Sequence, residues 1–247
     1  MFLTSTFFAR TSIVVSFLII ACLKVAAETV PLPRARPATI LGDQLPTTTT
    51  NVQPSPCQLR LAKLAEFKPA RPIIGPGECS AADVVTLEAV LLFDRQQVVF
   101  SPAAILRCSM AEAVAQWVRS DVAPAIAELI APLRGVENLD SYSCRTFNSI
   151  SGARMSEHGH ANALDVHSFK LANSAVIELT NTGVSKSLRE KIRNAACLRF
   201  STVLGNGADG YHEGHVHIDM MERTNNYRIC QWDVLEPAAM PVQLQRK

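Results

Sequence analysis

Short runs in which hydrophobic and polar residues alternate recur between residues 84 and 221, and this two-residue period predicts β-strands. The first two runs, "VVTLEAVLL" and "QQVVFS", flank the turn-like "FDR", so they predict a hairpin over residues 84–101. Further strands are predicted at residues 139–147, 164–171, 175–179, 200–205 and 215–221.

Two other segments have apolar residues at helical spacing. Residues 101–133 are rich in Ala, Leu, Glu and Arg, which predicts a helix that Pro124 interrupts or restarts. Residues 185–197, "SKSLREKIRNAAC", predict a second helix capped by Ser185. Because strands and helices occur in blocks, the predicted fold class is α+β, with a mainly antiparallel sheet flanked by helices.

The first 27 residues are typical of an export signal. Arg10 precedes the apolar run "SIVVSFLIIACL", and the small residues of "VAAE" follow it. The run is short for a bilayer span, so a transmembrane anchor is the weaker alternative. Cleavage before Cys22, in "IIAC", would instead leave a lipid anchor on that cysteine, and the sequence does not decide between the two cleavage sites.

Proline and threonine dominate the next segment, residues 28–56, which predicts a disordered linker or a simple spacer. A single domain is then predicted over residues 57–236, followed by a disordered tail over residues 237–247. The net charge is +2 and the basic residues are scattered, so the composition argues against nucleic acid as a partner. We expect a monomer.

Six cysteines remain in the predicted domain. An even number in an exported chain favours disulfides, and the absence of Cys-x-x-Cys pairs argues against a cysteine zinc site. The sequence does not choose among the pairings. The candidates are Cys57, Cys79, Cys108, Cys144, Cys197 and Cys230.

All six histidines of the chain fall in two short segments, "SEHGHANALDVH" at residues 156–167 and "YHEGHVH" at residues 211–217. If residues 213–219 are extended, Glu213, His215, His217 and Asp219 share one face of a strand, because side chains two residues apart point the same way. The opposite face is apolar. Imidazoles and carboxylates on one face are the ligands that zinc prefers.

The first histidine segment supplies two further candidate ligands. Asp165 lies on a predicted strand, and His158 can reach it from the preceding loop, where small residues allow close approach. Together with one histidine of the second segment they make three protein ligands and leave a fourth position for water. This is the pattern of a catalytic zinc site, where zinc lowers the pKa of water enough for hydrolysis at neutral pH.

These residues match known signatures. "SEHGHANALD" resembles the Ser-x-His-x-x-Gly-x-Ala-x-Asp signature of zinc D-alanyl-D-alanine peptidases. "HVH" resembles the His-x-His signature of the group that contains these peptidases, lysostaphin-type enzymes and the hedgehog signalling domain. More closely, residues 57–235 resemble the extensin-like C-terminal domain family of exported bacterial proteins, through "SPAAILRCSMAEAVAQWV", "SYSCRTFN" and "YHEGHVHIDMMERTNNYRICQWDV".

The resemblance implies a hedgehog/D-Ala-D-Ala peptidase-like domain with zinc held by His158, Asp165 and His217. It also implies that His215 assists catalysis and that Arg145 lies near the substrate, although a structural ion pair is an equal alternative for Arg145. There are two departures: Ala161 stands where the signature has Gly, and the Glu-x-x-His arrangement of the carboxypeptidases is absent.

The resulting expectation is a zinc-dependent hydrolase of peptidoglycan stem peptides or cross-links, in the periplasm or cell envelope of a Gram-negative bacterium. The alternative is a non-catalytic cell-wall binding or structural module on the same fold. Either Glu213 or His215 is expected to act as the base, and either His215 or Arg145 to stabilise the oxyanion.

Other side chains are expected to support the site rather than to bind metal. Asp219 is expected either to orient a ligating histidine or to pair with Arg223. Ser156 and His160 are assigned supporting positions around the ligands. His167 and His212 are expected to be structural or supporting rather than ligands.

Overall fold

The structure is a computed structural model that describes residues 53–128 and 131–236. The predicted export signal, nearly all of the linker, Cys22 and the predicted tail lie outside the described residues. The folded part begins slightly before the predicted boundary at residue 57. Helix α1 (Pro56–Leu61) is capped by Ser55, whose hydroxyl accepts a hydrogen bond from the Gln58 N–H.

A mixed sheet of nine strands forms the centre of the domain. Its strands are β1 (Ala65–Pro69), β4 (Val84–Leu91), β5 (Gln97–Arg107), β6 (Leu133–Asp140), β7 (Ala163–Leu171), β8 (Val176–Glu178), β9 (Thr202–Leu204), β10 (Val216–Asp219) and β11 (Ile229–Gln231). Their order in the sheet is β1–β4–β5–β6–β7–β10–β9–β11, with β8 also paired to β7. A separate two-stranded sheet pairs β2 (Ile73–Ile74) with β3 (Ser80–Ala81).

Most neighbouring strands are antiparallel, as predicted. The exceptions in the large sheet are the β5–β6 pair and the β9–β11 pair, which are parallel. The predicted hairpin near residues 84–101 is the β4–β5 pair. The α+β class with a mostly antiparallel sheet is therefore confirmed.

Helices pack together against one face of the sheet. They are α2 (Cys108–Trp117), α3 (Ala123–Ala127) and α4 (Lys186–Arg199). Trp117 is fully buried between the rings of Phe169 and Phe200. Leu164, Val166, Val216 and Ile218 point into the same core from β7 and β10, so the alternate residues of these strands face the other side of the sheet.

The prediction of one long helix over residues 101–133 was wrong at both ends. Residues 101–107 extend β5, because Ala104 and Leu106 alternate with more exposed neighbours and pair with β4. Residues 133–140 form β6. A strand was predicted over residues 139–147, so the observed strand overlaps the predicted one only at residues 139 and 140. The predicted interruption at Pro124 is confirmed: a π-helical turn, Val118–Val122, joins α2 to α3, and Pro124 lies in the first turn of α3.

Three disulfides join all six predicted cysteines. Cys57 pairs with Cys108, Cys79 with Cys144, and Cys197 with Cys230. Three such bonds are typical of a protein that folds in an oxidising compartment. Among the helices of residues 53–128 and 131–236, none is long and apolar enough to cross a bilayer.

Candidate metal centre

One ligand atom from each of His158, Asp165 and His217 converges on a common point. His158 Nε2 lies 3.2 Å from His217 Nδ1 and 3.2 Å from Asp165 Oδ1, and His217 Nδ1 lies 2.9 Å from Asp165 Oδ1. A tetrahedral divalent ion with bonds of about 2.0–2.1 Å holds its ligand atoms about 3.3 Å apart. The three groups therefore fit a small divalent metal ion.

The sheet register explains why two of these side chains meet. His217 on β10 lies directly opposite Asp165 on the neighbouring antiparallel strand β7. Both side chains point away from the helical layer, because their neighbours along each strand point into the core. Directly opposed side chains of antiparallel strands have closely spaced Cβ atoms, which suits a shared ligand.

His158 enters from a short 3-10 helix, Glu157–His160, that crosses this face of the sheet. Ser156 precedes the helix, and its hydroxyl accepts a hydrogen bond from the His158 N–H. Ser156 thus helps to fix the backbone of a candidate ligand, as expected for a supporting residue.

The helix ends at Ala161, whose backbone is left-handed, with φ of 50° and ψ of 33°. Glycine adopts this conformation without strain, and this explains why the peptidase signature has glycine at this position. The departure to alanine leaves the turn intact. The Ala161 methyl is fully buried beside Ala81 and Val84, so packing offsets part of the strain.

Each candidate histidine ligand is oriented through its other ring nitrogen. His158 Nδ1 lies 2.6 Å from the Ser141 carbonyl oxygen and donates to it, which leaves Nε2 facing the cluster. His217 Nε2 lies 3.1 Å from Asp219 Oδ2 and donates to that carboxylate. Metal-ligating histidines usually make such bonds, which fix the tautomer and the ring orientation.

Of the two alternatives for Asp219, the structure supports orientation of His217. Arg223 instead donates to the Ser201 carbonyl oxygen and to Thr202 Oγ1.

The carboxylates beside His217 favour the protonated form of its imidazole. Burial alone would lower the pKa of His217, but hydrogen bonds to Asp165 and Asp219 outweigh burial and raise that pKa to about 9. Burial would raise the pKa of Asp165, yet the close contacts of its carboxylate with the imidazoles of His158 and His217 hold that pKa well below its usual range. A divalent ion at the cluster would replace the proton on His217 Nδ1.

The three candidate ligands are buried but line a cavity of about 380 Å³. His158, Asp165 and His217 are 1%, 5% and 7% exposed. His215 and Arg145 flank the second oxygen of Asp165, with His215 Nε2 at 3.6 Å and an Arg145 amino nitrogen at 3.9 Å. One side of the cluster therefore faces a space large enough for a ligand.

His215 is suited to accept a proton. Burial lowers the pKa of His215, and the nearby Asp165 carboxylate only partly offsets this effect. Its imidazole is therefore neutral near pH 7, and its side chain is more exposed to the cavity than the candidate ligands are.

Two predicted site residues do not join the cluster. Strand β10 begins only at Val216, and Glu213 lies in a turn, where its carboxylate accepts a hydrogen bond from the Gly207 N–H. Glu213 does not line the cavity, and its role as the base stays a prediction. His160 also lies outside the lining of the cavity, with its Nδ1 near the Ser80 carbonyl oxygen, and its expected supporting role stays a prediction.

Two further residues contact the site: His212, which was expected to be structural or supporting, and Asp140, which the sequence analysis did not single out. His212 is buried, lines the cavity and packs against the rings of His215 and His217. Its Nδ1 lies 2.6 Å from Asp209 Oδ1, a pairing that the three-residue spacing in the sequence would have suggested. Asp140 receives a hydrogen bond from Arg145, and this contact gave no sequence signal because it depends on the path of the chain after β6.

Residues 55–231 match the model of the family described as extensin-like protein C-terminus. The chain belongs to this family. Comparisons with curated proteins and with solved structures gave no match. The extensin-like domain accordingly includes every candidate ligand and all three disulfides.

Proposed function

We propose that this extensin-like domain is a zinc-dependent hydrolase that cuts peptide bonds of peptidoglycan, in stem peptides or cross-links. The observation that carries the proposal is the convergence of three metal-type ligand atoms on one side of an accessible cavity. Two imidazole nitrogens and one carboxylate oxygen match the ligand preference of zinc and leave a position free for water.

The proposed fold relationship is to the hedgehog/D-Ala-D-Ala peptidase group. It is supported by the placement of the matched residues: a histidine on a short helix, an aspartate on β7 and the second histidine of His-x-His on the adjacent strand β10. The proposed location is the periplasm or cell envelope of a Gram-negative bacterium, and the three disulfides support export.

His158, Asp165 and His217 would hold the zinc ion, and Ser141 and Asp219 would hold the two histidines in place. Bound zinc would supply Lewis-acid activation of water and of the amide carbonyl. The neutral imidazole of His215 would take the proton of the attacking water and pass it to the leaving amine.

Arg145 would act on the carbonyl oxygen or a nearby carboxylate of the substrate. Its guanidinium donates to Asp140 at 3.1 Å and points toward the second oxygen of Asp165. The contact with Asp140 also fits the alternative role of Arg145 in a structural ion pair. Arg145 could both pair with Asp140 and contact the substrate, because a guanidinium has five N–H donors.

Digestion of purified muropeptides, followed by mass spectrometry, tests the proposal. Zinc-loaded protein should create new amino and carboxyl termini, and the His217→Ala variant should create none. A protein that binds zinc but leaves every muropeptide intact would contradict the hydrolase proposal and support the non-catalytic cell-wall module.

A further inference from the structure

Arg154 lines the same cavity as the candidate metal ligands, and within the described residues it has no carboxylate partner. Its side chain is exposed. One amino nitrogen lies 2.9 Å from Met221 Sδ, a weak acceptor, and the guanidinium lies over the ring of Phe147 at 5.1 Å. Most of its five N–H donors therefore remain available to a ligand.

The backbone of Arg154 belongs to a small hydrogen-bonded turn. The Phe147 N–H donates to the Arg154 carbonyl oxygen at 2.9 Å, and Thr146 and Met155 form a bridge beside it. The turn is also tied across the cavity, because Asn148 donates to Asp209, the partner of His212, at 3.3 Å. These bonds keep the backbone of Arg154 beside the cavity.

The acidic residues that line the cavity already have partners. Asp165 and Asp219 bond to His217, Asp209 bonds to His212, and Glu157 accepts from Asn162. Arg145 differs from Arg154 because it is paired with Asp140. The charge of Arg154 is therefore not neutralised from within the cavity, which favours an anionic ligand.

We propose that Arg154 binds a free carboxylate of the peptide whose amide bond lies at the metal cluster. This inference rests on the proposed function and adds to it a specificity-determining residue. A guanidinium can hold a carboxylate through two parallel hydrogen bonds, which select for both charge and orientation. The contact with the Phe147 ring uses the charge of the guanidinium and leaves its N–H donors available for this contact.

Two peptide groups share this chemistry, a C-terminal carboxylate and an acidic side chain. Three acetylated tripeptides distinguish them. The first ends in D-Ala-D-Ala as the free acid, the second is its carboxamide, and the third is a carboxamide that carries D-Glu in place of one D-Ala. A preference for the first assigns Arg154 to a terminal carboxylate, and a preference for the third assigns it to a side-chain carboxylate.

Binding is measured by calorimetry on the full chain without zinc, which separates recognition from turnover. Wild-type protein should bind one of the two acid peptides about 10- to 100-fold more tightly than the plain carboxamide. Arg154→Gln should abolish that difference and leave carboxamide binding unchanged. Arg154→Lys should recover part of it, since lysine keeps the charge but not the paired hydrogen bonds.

Arg71→Gln is the matched control, because Arg71 is exposed and does not line this cavity. The proposal is overturned if Arg154→Gln leaves the acid preference intact, if it weakens acid and carboxamide equally, or if wild type shows no acid preference. Cleavage of the same peptides by zinc-loaded protein is scored separately. Absence of cleavage with an Arg154-dependent acid preference would contradict the hydrolase but uphold the carboxylate site.

Discussion

Asp219 lies outside the point where the three ligand atoms meet, yet it determines how His217 faces them. Its Oδ2 accepts from His217 Nε2, and its Oδ1 accepts from the Met221 N–H, so the carboxylate is held on both oxygens. A carboxylate in this position strengthens a histidine ligand and fixes its orientation. If the proposed metal centre is occupied, the strength of metal binding would therefore depend on a residue that does not touch the metal position.

Replacing Asp219 with asparagine keeps the shape of the side chain but removes the charge behind His217. We expect zinc affinity to fall about 10- to 100-fold, as measured by competition with a chromophoric chelator. Asp209→Asn is the control, because Asp209 holds His212 rather than a candidate ligand. Equal loss in both variants would contradict a specific role for Asp219.

Alanine variants of His215 and Glu213 test which of these two candidates is the base. His215→Ala should keep zinc and lower kcat/KM by about 100- to 10,000-fold, because the proton acceptor is lost. Glu213→Ala should retain both zinc and turnover, since its carboxylate bonds to a turn outside the cavity. Loss of turnover in Glu213→Ala with normal zinc content would instead assign the role of the base to Glu213.

Zinc binding should release a proton. The pKa of His217 is raised to about 9 in the metal-free protein, so near pH 7.5 this ring carries an extra proton that the ion must displace. The apparent affinity should rise about tenfold per pH unit below about pH 9 and level off above it. Calorimetry in buffers of different ionisation enthalpy measures the released proton, and a pH-independent affinity would contradict the assignment.

At the residue scale, the spacing within the two histidine segments pointed to His158, Asp165 and one histidine of the second segment, and the resemblance to the His-x-His signature selected His217. The face argument also holds for His217 and Asp219, which lie two residues apart on β10. It fails at Glu213 because Gly214 lies in a turn before the strand begins. The Ser141 and Asp140 contacts could not be predicted, since they depend on how an irregular segment crosses the sheet.

At the level of elements, the segment that follows β6 brings three site features together. It contains Ser141, Cys144 and Arg145, and the Ser143 N–H donates to the His158 carbonyl oxygen. Cys144 is joined to Cys79, which lies just before β3. This disulfide therefore ties an otherwise irregular segment beside the candidate metal ligands.

The Cys79–Cys144 and Cys57–Cys108 bonds form a matched pair for a test of this role. They span 65 and 51 residues, so replacing either pair with serine should lower the free energy of unfolding by a similar amount, about 2–5 kcal/mol. Only loss of Cys79–Cys144 should also weaken zinc binding in protein that remains folded. Denaturant unfolding measures the loss of stability, and chelator competition measures the loss of zinc affinity. Equal zinc affinity in both variants would contradict a specific role of the Cys79–Cys144 bond at the metal centre.

Element boundaries were less predictable than element types. Residues 101–107 contain the helix-favouring "PAAILR", but Ala104 and Leu106 pair with β4 and bury apolar surface in the sheet. Tertiary pairing of this kind overrides local propensity. The prediction that Pro124 interrupts the helix succeeded because a missing N–H acts locally, whatever the tertiary context.

For the described domain, the two faces of the sheet differ: one forms the hydrophobic core and the other carries the candidate site. One face packs against α2, α3 and α4 and forms the apolar core, whereas the other carries the candidate metal ligands and the cavity. The alternation along β7 and β10 produces this division, because each strand contributes apolar residues to one side and ligands to the other. The sequence predicted this alternation, but not which strands would be neighbours.

Metal analysis of the purified full chain, combined with X-ray absorption spectroscopy, tests the central claim most directly. We expect one zinc ion per chain, bound by two imidazole nitrogens and by oxygen at about 2.0–2.1 Å, and loss of this ion in His158→Ala, Asp165→Asn and His217→Ala. Absence of zinc in the wild-type protein after metal loading, or full retention in all three variants, would contradict the metal centre.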